Sequence, residues 1–421
     1  MVAITVRDVE ECIANALIKI GNSTAIDALC QALQDENPRV KINAAGALGQ
    51  IGNDKATAAL ITALDHEDNY VREQAARALV KINSGKAVDA LISALQNQDA
   101  AVRSNAVKVL GKIGGDKAAE ALVDLLNDEN SSVRSNAVKA LGKIGSDQTV
   151  EMLIDLLNDG DEDVRNNTVE ALGKIGSDKA VDVLITALSH EDGSVRRRAV
   201  DALGQIGGDK AVDALIAALN DEDSFVRREA AEALGQIGGD KAVDALIAAL
   251  NDEDSFVRRK AAEALGQIGS DKAVDALIAV LNDEVSFVRR EAVGALGQIG
   301  SDKAVDALIA VLNDEDSFVR ASAASALGRI GTDKAVDALV ATLNDEVSSV
   351  REKAAEALGQ IGTATCLEKL LQSVAPNLVY RPDIFPLVRT LAIRFSKIGH
   401  SFIPVYPELL PTPTTTDGAE A

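Results

Sequence analysis

The chain has 421 residues, of which 47% are apolar but only 2% aromatic, so alanine, leucine, isoleucine and valine must supply its core. That composition suits thin helical layers packed closely and excludes a deep pocket walled by rings. A formal net charge of -22 opposes DNA, RNA or an anionic membrane surface as a partner, and it favours either basic partners or simple solubility.

Residues 1–20 read as a degraded opening helix, with Val9 in a column that recurs as valine and Glu10 where an arginine recurs. Pro38, the only proline before residue 376, stands at the start of the next helix, where its missing N–H is tolerated. Two columns then advance in steps of 31. One is the arginine of a Val-Arg pair: Arg72, Arg103, Arg134, Arg165, Arg196, Arg227, Arg258, Arg289, Arg320 and Arg351. The other is a glycine after isoleucine, from Gly21 and Gly52 through Gly114 to Gly362, with Asn83 filling the one gap. A fixed period of this length marks a solenoid, in which each unit buries its face only against its neighbours.

The best copy of the unit is DKAVDALIAALNDEDSFVRREAAEALGQIGG at residues 209–239. It predicts two helices. The first runs from about Ser224 to Ile237, capped by Asp223, with Val226, Ala230, Ala231, Leu234 and Ile237 on one stripe and Gly238 as its terminator. Asp209 caps the second, from Lys210 to about Leu219, whose apolar face is Ala211, Val212, Leu215, Ile216 and Leu219. Gly235 lies inside the first helix, where glycine costs up to ~1 kcal/mol against alanine. Its recurrence at Gly49, Gly111, Gly142, Gly173, Gly204, Gly266, Gly297, Gly328 and Gly359 calls for an offset, and close helix–helix approach is the simplest. Arg227 sits near a helix N-terminus, the wrong end for a cation. Ion pairs with Asp221, Glu222 or their equivalents in the next repeat are expected to compensate, with an anion-binding ladder as the alternative.

The register breaks after residue 375. Residues 376–421 hold seven of the eight prolines and five of the ten aromatics. The segment PDIFPLVRTLAIRFSK reads as an amphipathic helix with Phe385, Val388, Leu391, Ala392 and Phe395 on one face, either a cap on the last repeat or a detachable recognition element. The expected organisation is therefore an all-α solenoid at 1–375, an armadillo-type right-handed superhelix of about twelve 31-residue two-helix repeats. A helical cap and extended segment follow at 376–410, with a disordered tail at 411–421.

Two surfaces are candidates for function. Outward positions of the second helices carry a lysine track (Lys210, Lys241), an aspartate track (Asp213, Asp244) and small residues at Ala214, Ala217 and Ala248. The Ala217 column is polar in the N-terminal half (Gln31, Thr62, Ser93, Asp124) and alanine in the C-terminal half, a groove open to a helix or an extended chain. The other surface is an edge lined by Phe225, Phe256, Phe287 and Phe318. Serine fills that column at Ser132, Ser194 and Ser349, so the fold does not require a ring there; the rings serve either an interface or loop packing. A partner with apolar anchors rimmed by Lys or Arg matches the edge and the acidic NDED loops beside it.

Signatures of catalysis are absent from the sequence: it has no Walker loop, dinucleotide fingerprint, HExxH or CxxC. No catalytic residue, metal or cofactor is expected. His66–Glu67 and His190–Glu191 fall in the acidic loops four repeats apart, too far to share a metal. Cys12, Cys30 and Cys366 make no disulfide framework, and Cys30, in an apolar column, is expected to be buried. Without a leader-like opening or an 18-residue apolar run, a cytoplasmic location is expected.

The unit resembles the short HEAT-like repeat of cyanobacterial phycobilin lyases over about residues 7–375. That resemblance implies either a scaffold or a bilin lyase subunit or phycobilisome-associated bilin-handling or degradation factor, with phycobiliproteins as partners. The C-terminal PDIFPLVRTLAIRFSK…FIPVYPE is similar to an ending of cyanobacterial HEAT-repeat proteins. The repeat also resembles that of deoxyhypusine hydroxylase, a di-iron enzyme with HE pairs on facing helices. Here EAAEALG helices stand in those places and the HE pairs are in loops, so that activity is not expected. The expected function is a non-enzymatic protein-interaction scaffold that binds through its concave groove and phenylalanine edge.

Overall fold

The computed structural model describes residues 6–374. Among them every regular element is helical, with twelve first helices alternating with shorter second helices. The expected cap at 376–410 and tail at 411–421 lie outside the described residues. The chain divides into two compact units, one up to Ala211 and one from Val212. In the first, the helices Val6–Ile20, Pro38–Ile51, Asn69–Ile82, Ala100–Ile113, Ser131–Ile144, Glu162–Ile175 and Gly193–Ile206 each pack on the next. In the second the same layer is Ser224–Ile237, Ser255–Ile268, Ser286–Ile299, Ser317–Ile330 and Ser348–Ile361.

The apolar stripe explains the layer. Val226, Ala230, Ala231 and Leu234 are buried, as are Ala242, Val243, Leu246 and Ala249 of the following second helix, Asp240–Ala249. The expected span of the first helix, Ser224–Ile237, is the observed one. Asp223 caps it, its Oδ1 accepting from the Phe225 N–H at 2.8 Å. The other end stops at Gly238, with φ 74°. Asn83 takes the same role with φ 37°, the left-handed conformation that asparagine tolerates best after glycine.

The glycine inside the helix has its offset. A Cβ on Gly235 would lie 2.6 Å from Ala264 Cβ and 3.0 Å from Ala264 Cα, on the first helix of the next repeat. Gly49 meets Ala78 in the same way, Gly111 meets Ala140, and Gly297 meets Ala326. Each glycine thus admits the neighbouring helix against its backbone.

Two details differ from expectation. The second helix begins at Asp209 rather than being capped by it. In the next repeat Gly239 occupies the cap position and offers no side chain, so Asp240 acts through its charge in the first turn. Ala214, expected to face outward, is buried. It faces the apolar side together with Ala218 because the buried stripe of this short helix is broad.

Capping also fails where the loop reads NDEV. Val285 has φ -98° and ψ 117°, close to the -86° and 122° of the capping Asp254, but no side-chain acceptor. Val285→Asp is expected to raise stability by about 1 kcal/mol, seen as a higher urea midpoint. No gain would show that the loop backbone is already satisfied.

Candidate protein-binding surfaces

The arginine column is spent on the fold. Arg227 Nε donates to Asp252 Oδ2 at 2.8 Å and its Nη2 to Asp252 Oδ1 at 2.9 Å, a bidentate pair with the loop of the next repeat. Its Nη1 donates to the carbonyls of Asp221 and Glu222 at 2.9 and 3.2 Å, in its own loop. Arg227 therefore bolts one loop to the next. The pattern repeats at Arg258–Asp283, Arg289–Asp314 and Arg320–Asp345, and in the first unit at Arg103–Asp128 and Arg134–Asp159. With its donors engaged, the column is a structural ladder and not an anion site.

The second-helix tracks are not two free lines of charge. Lys241 bridges Asp213 of the preceding repeat at 2.7 Å, Lys272 bridges Asp244, and Lys334 bridges Asp306 at 2.7 Å. In the first unit Lys210 bridges Asp182 at 2.8 Å and Lys86 bridges Asp54 at 2.8 Å. Hydrogen bonding and the charge of Asp182 push the Lys210 ammonium above its usual range. The tracks cancel each other and leave a nearly neutral stripe. Ala217 and Ala248 are exposed beside it, as expected.

A groove recurs between successive second helices. In the first unit it measures about 470 Å³ and is lined by Cys30, Gln34, Thr62, Asp65 and His66 among others. Six periods further on it is lined by Ile216, Asn220, Ala248, Asn251 and Asp252 and measures about 290 Å³. The cavity in the first unit is the wider of the two, and alanines and polar side chains line both. Cys30 accordingly is half-buried at a groove wall rather than buried in the core. Burial and then Asp27 push its thiol above the usual range. Cys366 is fully buried.

The phenylalanine edge lies in the second unit. Phe225, Phe256 and Phe318 are 53%, 51% and 67% exposed, more than an apolar core residue tolerates, while Phe287 is half-buried. The rings do not form an even row. Phe256 and Phe287 stack with centroids 5.3 Å apart, and the Arg228 guanidinium lies over the Phe225 ring at 5.0 Å. The arginine was missed in the sequence; its signal was a second column, Arg228, Arg259 and Arg290, three residues after the rings. On the loop side stand Glu253, Glu284 and Glu315, with side chains 86–89% exposed and each within 3.3–3.9 Å of the arginine of the preceding repeat, Arg227, Arg258 and Arg289.

The two histidine loops have a local use. His66 Nδ1 accepts from the Asp68 N–H and His190 Nδ1 from the Asp192 N–H, both at 2.9 Å, which shapes each loop. Among the described residues no group of three His, Cys, Asp or Glu is placed to hold a metal, and no helix is long and apolar enough to cross a membrane.

The model of the family HEAT repeats matches residues 7–79, 57–137, 119–192, 181–265, 243–328 and 305–381. The chain belongs to the HEAT-repeat family. No curated protein sequence matches it. Among solved structures, these HEAT repeats are similar to the karyopherin Kap121p. Kap121p bound to the extreme C-terminus of the protein phosphatase Cdc14p matches with a TM-score of 0.61 at 15% identity, over 97% of this chain and 56% of that one. Kap121p bound to Nup53p gives 0.62 at 15% identity, over 97% and 55%. The chain thus spans little more than half the length of Kap121p, and at this identity the likeness is one of fold. The phycobilin-lyase resemblance and the cyanobacterial attribution drawn from it are overturned, because the likeness along nearly the whole chain is to karyopherin structures. The motif that carried the resemblance is made of core alanines, caps and helix terminators, so it reports repeat type and not activity.

Proposed function

We propose that this chain is a non-enzymatic scaffold that binds a protein partner through the second unit, at the phenylalanine edge and the alanine-lined groove beside it. The observation that carries the reading is the exposure of Phe225, Phe256 and Phe318 in a column that accepts serine. Exposed rings at recurring positions are the residue type that dominates binding hot spots. Neutralisation of the Lys241–Asp213 and Lys272–Asp244 tracks moves the net charge to the loops. Glu253, Glu284 and Glu315 each reach a ladder arginine at 3.3–3.9 Å yet keep 86–89% of the side chain exposed, which favours Lys or Arg on the partner's rim. Kap121p, which shares the fold, is itself seen bound to Nup53p and to a Cdc14p segment, which supports the reading by example.

The double substitution Phe256→Ser and Phe287→Ser removes the stacked pair. It is expected to weaken partner binding by about 2 kcal/mol or more, with the circular dichroism spectrum unchanged. Unchanged affinity removes the edge from the interface. A collapse of the melting temperature means that the rings pack loops.

A further inference from the structure

The first helices of the first unit carry a basic face that the fold does not use. Two columns build it, one helical turn apart. One holds Arg77, Lys108 and Lys139; the other holds Lys81, Lys112, Lys143 and Lys174. All of them are exposed. Arg77 pairs with Glu73 and Lys174 with Glu170. Among the described residues no carboxylate oxygen lies within 4.0 Å of Lys81, Lys108, Lys112, Lys139 or Lys143. Glu170 is held below its usual range by its hydrogen bond from Lys174, then, against its burial, by the charges of Lys174, Lys139 and Arg198. One carboxylate thus answers three cations. Around Lys108 the charges are of its own sign: partial burial, then Arg72, Lys139 and Lys112, push its ammonium below the usual range.

Helix formation does not account for this face. A lysine in the last turn suits the helix dipole, but Gln205, Gln236, Gln267 and Gln298 fill that column in helices of the same length. The other column takes Glu170, Asp201, Glu232 and Glu263 in later repeats. An acid there pairs with a lysine four residues on, as Glu170 does with Lys174. Lys108 and Lys139 forgo that pair and stand one turn from the like charges of Lys112 and Lys143, an arrangement that costs stability. In a chain of net charge -22, such a concentration of unpaired cations runs against the trend. We infer that this face of the helices Asn69–Ile82, Ala100–Ile113 and Ser131–Ile144 binds an acidic segment of a partner protein, whose Asp and Glu side chains enter between the lysines of neighbouring repeats. Packed helices lie about 8–10 Å apart, and residues four apart on one helix about 5–6 Å. Lys108, Lys112, Lys139 and Lys143 therefore frame a space in which one carboxylate can meet two flexible ammonium groups. Neither column contains an aromatic ring on which a base could stack. The negative field of the whole chain also repels a long polyanion more than a short acidic segment. The surface is in the first unit and does not rest on the phenylalanine edge.

The test reads the fluorescence anisotropy of a labelled oligoglutamate peptide against the full chain, with an oligoglutamine peptide as the blank. The parent is expected to bind oligoglutamate, and less tightly as salt is raised. The variant Lys108→Gln, Lys112→Gln, Lys139→Gln, Lys143→Gln should lose about tenfold or more in affinity, whereas arginine at the same four positions should keep it. The urea midpoint of the glutamine variant should equal or exceed that of the parent, because like-charge repulsion is removed. A lower midpoint would mean that the lysines serve the fold, and the inference falls. The control variant Lys272→Gln, Lys303→Gln, Lys334→Gln removes cations already paired with Asp244, Asp275 and Asp306, and should bind as the parent does. Equal loss in the two variants, no binding by the parent, or tighter binding of an oligouridylate or of phosphatidylserine vesicles overturns the inference. The serine pair at 256 and 287 should leave oligoglutamate binding intact, so this inference and the function proposed above fall separately.

Discussion

Alanine at Gly266 is expected to destabilise the second unit by about 1–3 kcal/mol, although alanine is the better helix former by up to ~1 kcal/mol. The added Cβ would lie 2.8 Å from Ala295 Cα, 2.9 Å from Ala295 Cβ and 2.8 Å from Gln298 Oε1. The glutamine end can swing away. The Ala295 backbone can retreat only if the two first helices part, and that opens a layer in which Ala261, Ala262 and Leu265 are buried. Gly294 provides the control. It lies in the neighbouring helix, Ser286–Ile299, and a Cβ there meets nothing within 4 Å. Gly294→Ala is therefore expected to stabilise by up to ~1 kcal/mol. Urea titrations of the two single variants should move in opposite directions from the parent midpoint. A stabilising Gly266→Ala would mean that close approach is not what the glycine column is for.

Arg258→Ala is expected to cost about 3 kcal/mol. The Arg258 and Asp283 side chains are each 10% exposed, so removing the guanidinium strands a nearly buried carboxylate. It also takes the Nη1 donor from the carbonyls of Asp252 and Glu253. Adding Asp283→Asn should recover part of the loss, because the stranded charge goes with it. Full additivity of the two would show that the pair contributes little.

The same pairs predict an acid limb. Burial raises the Asp283 carboxyl, but the Arg258 hydrogen bonds, the Val285 N–H and the charges of Arg258 and Arg289 prevail and hold it below its usual range. Asp128, Asp159 and Asp345 are lowered in the same way. A carboxylate whose folded pKa lies below its unfolded value, about 3.9, binds fewer protons when folded. Its contribution is full above the unfolded pKa and is lost as pH falls through the folded one. Stability should thus hold as pH falls towards about 4 and decline below it, and Arg258→Ala should shrink that decline.

The period, the ends of the first helix and its core columns were legible in the sequence, because they follow from local rules. Apolar residues at helical spacing, Asp223 before a helix and Gly238 after it act within one or two turns of chain. Even the offset for Gly235 followed, since a repeated local cost demands a repeated compensation. The sequence also showed that Arg227 needed acids nearby. It offered Asp221, Glu222 or their equivalents in the next repeat, but not the choice of Asp252 among them, nor that Lys241 would take Asp213, 28 residues behind. Those offsets depend on how far one hairpin slides against the next when alanine and glycine backbones meet, and that slide is settled by packing between repeats. The neutral stripe where two charged tracks were expected, the stacking of Phe256 on Phe287, the arginine over Phe225 and the half-exposed Cys30 all follow from it. The family resemblance misled for a related reason. A unit selected to stack looks alike wherever it stacks, and activity resides in the surface residues that stacking leaves free to vary.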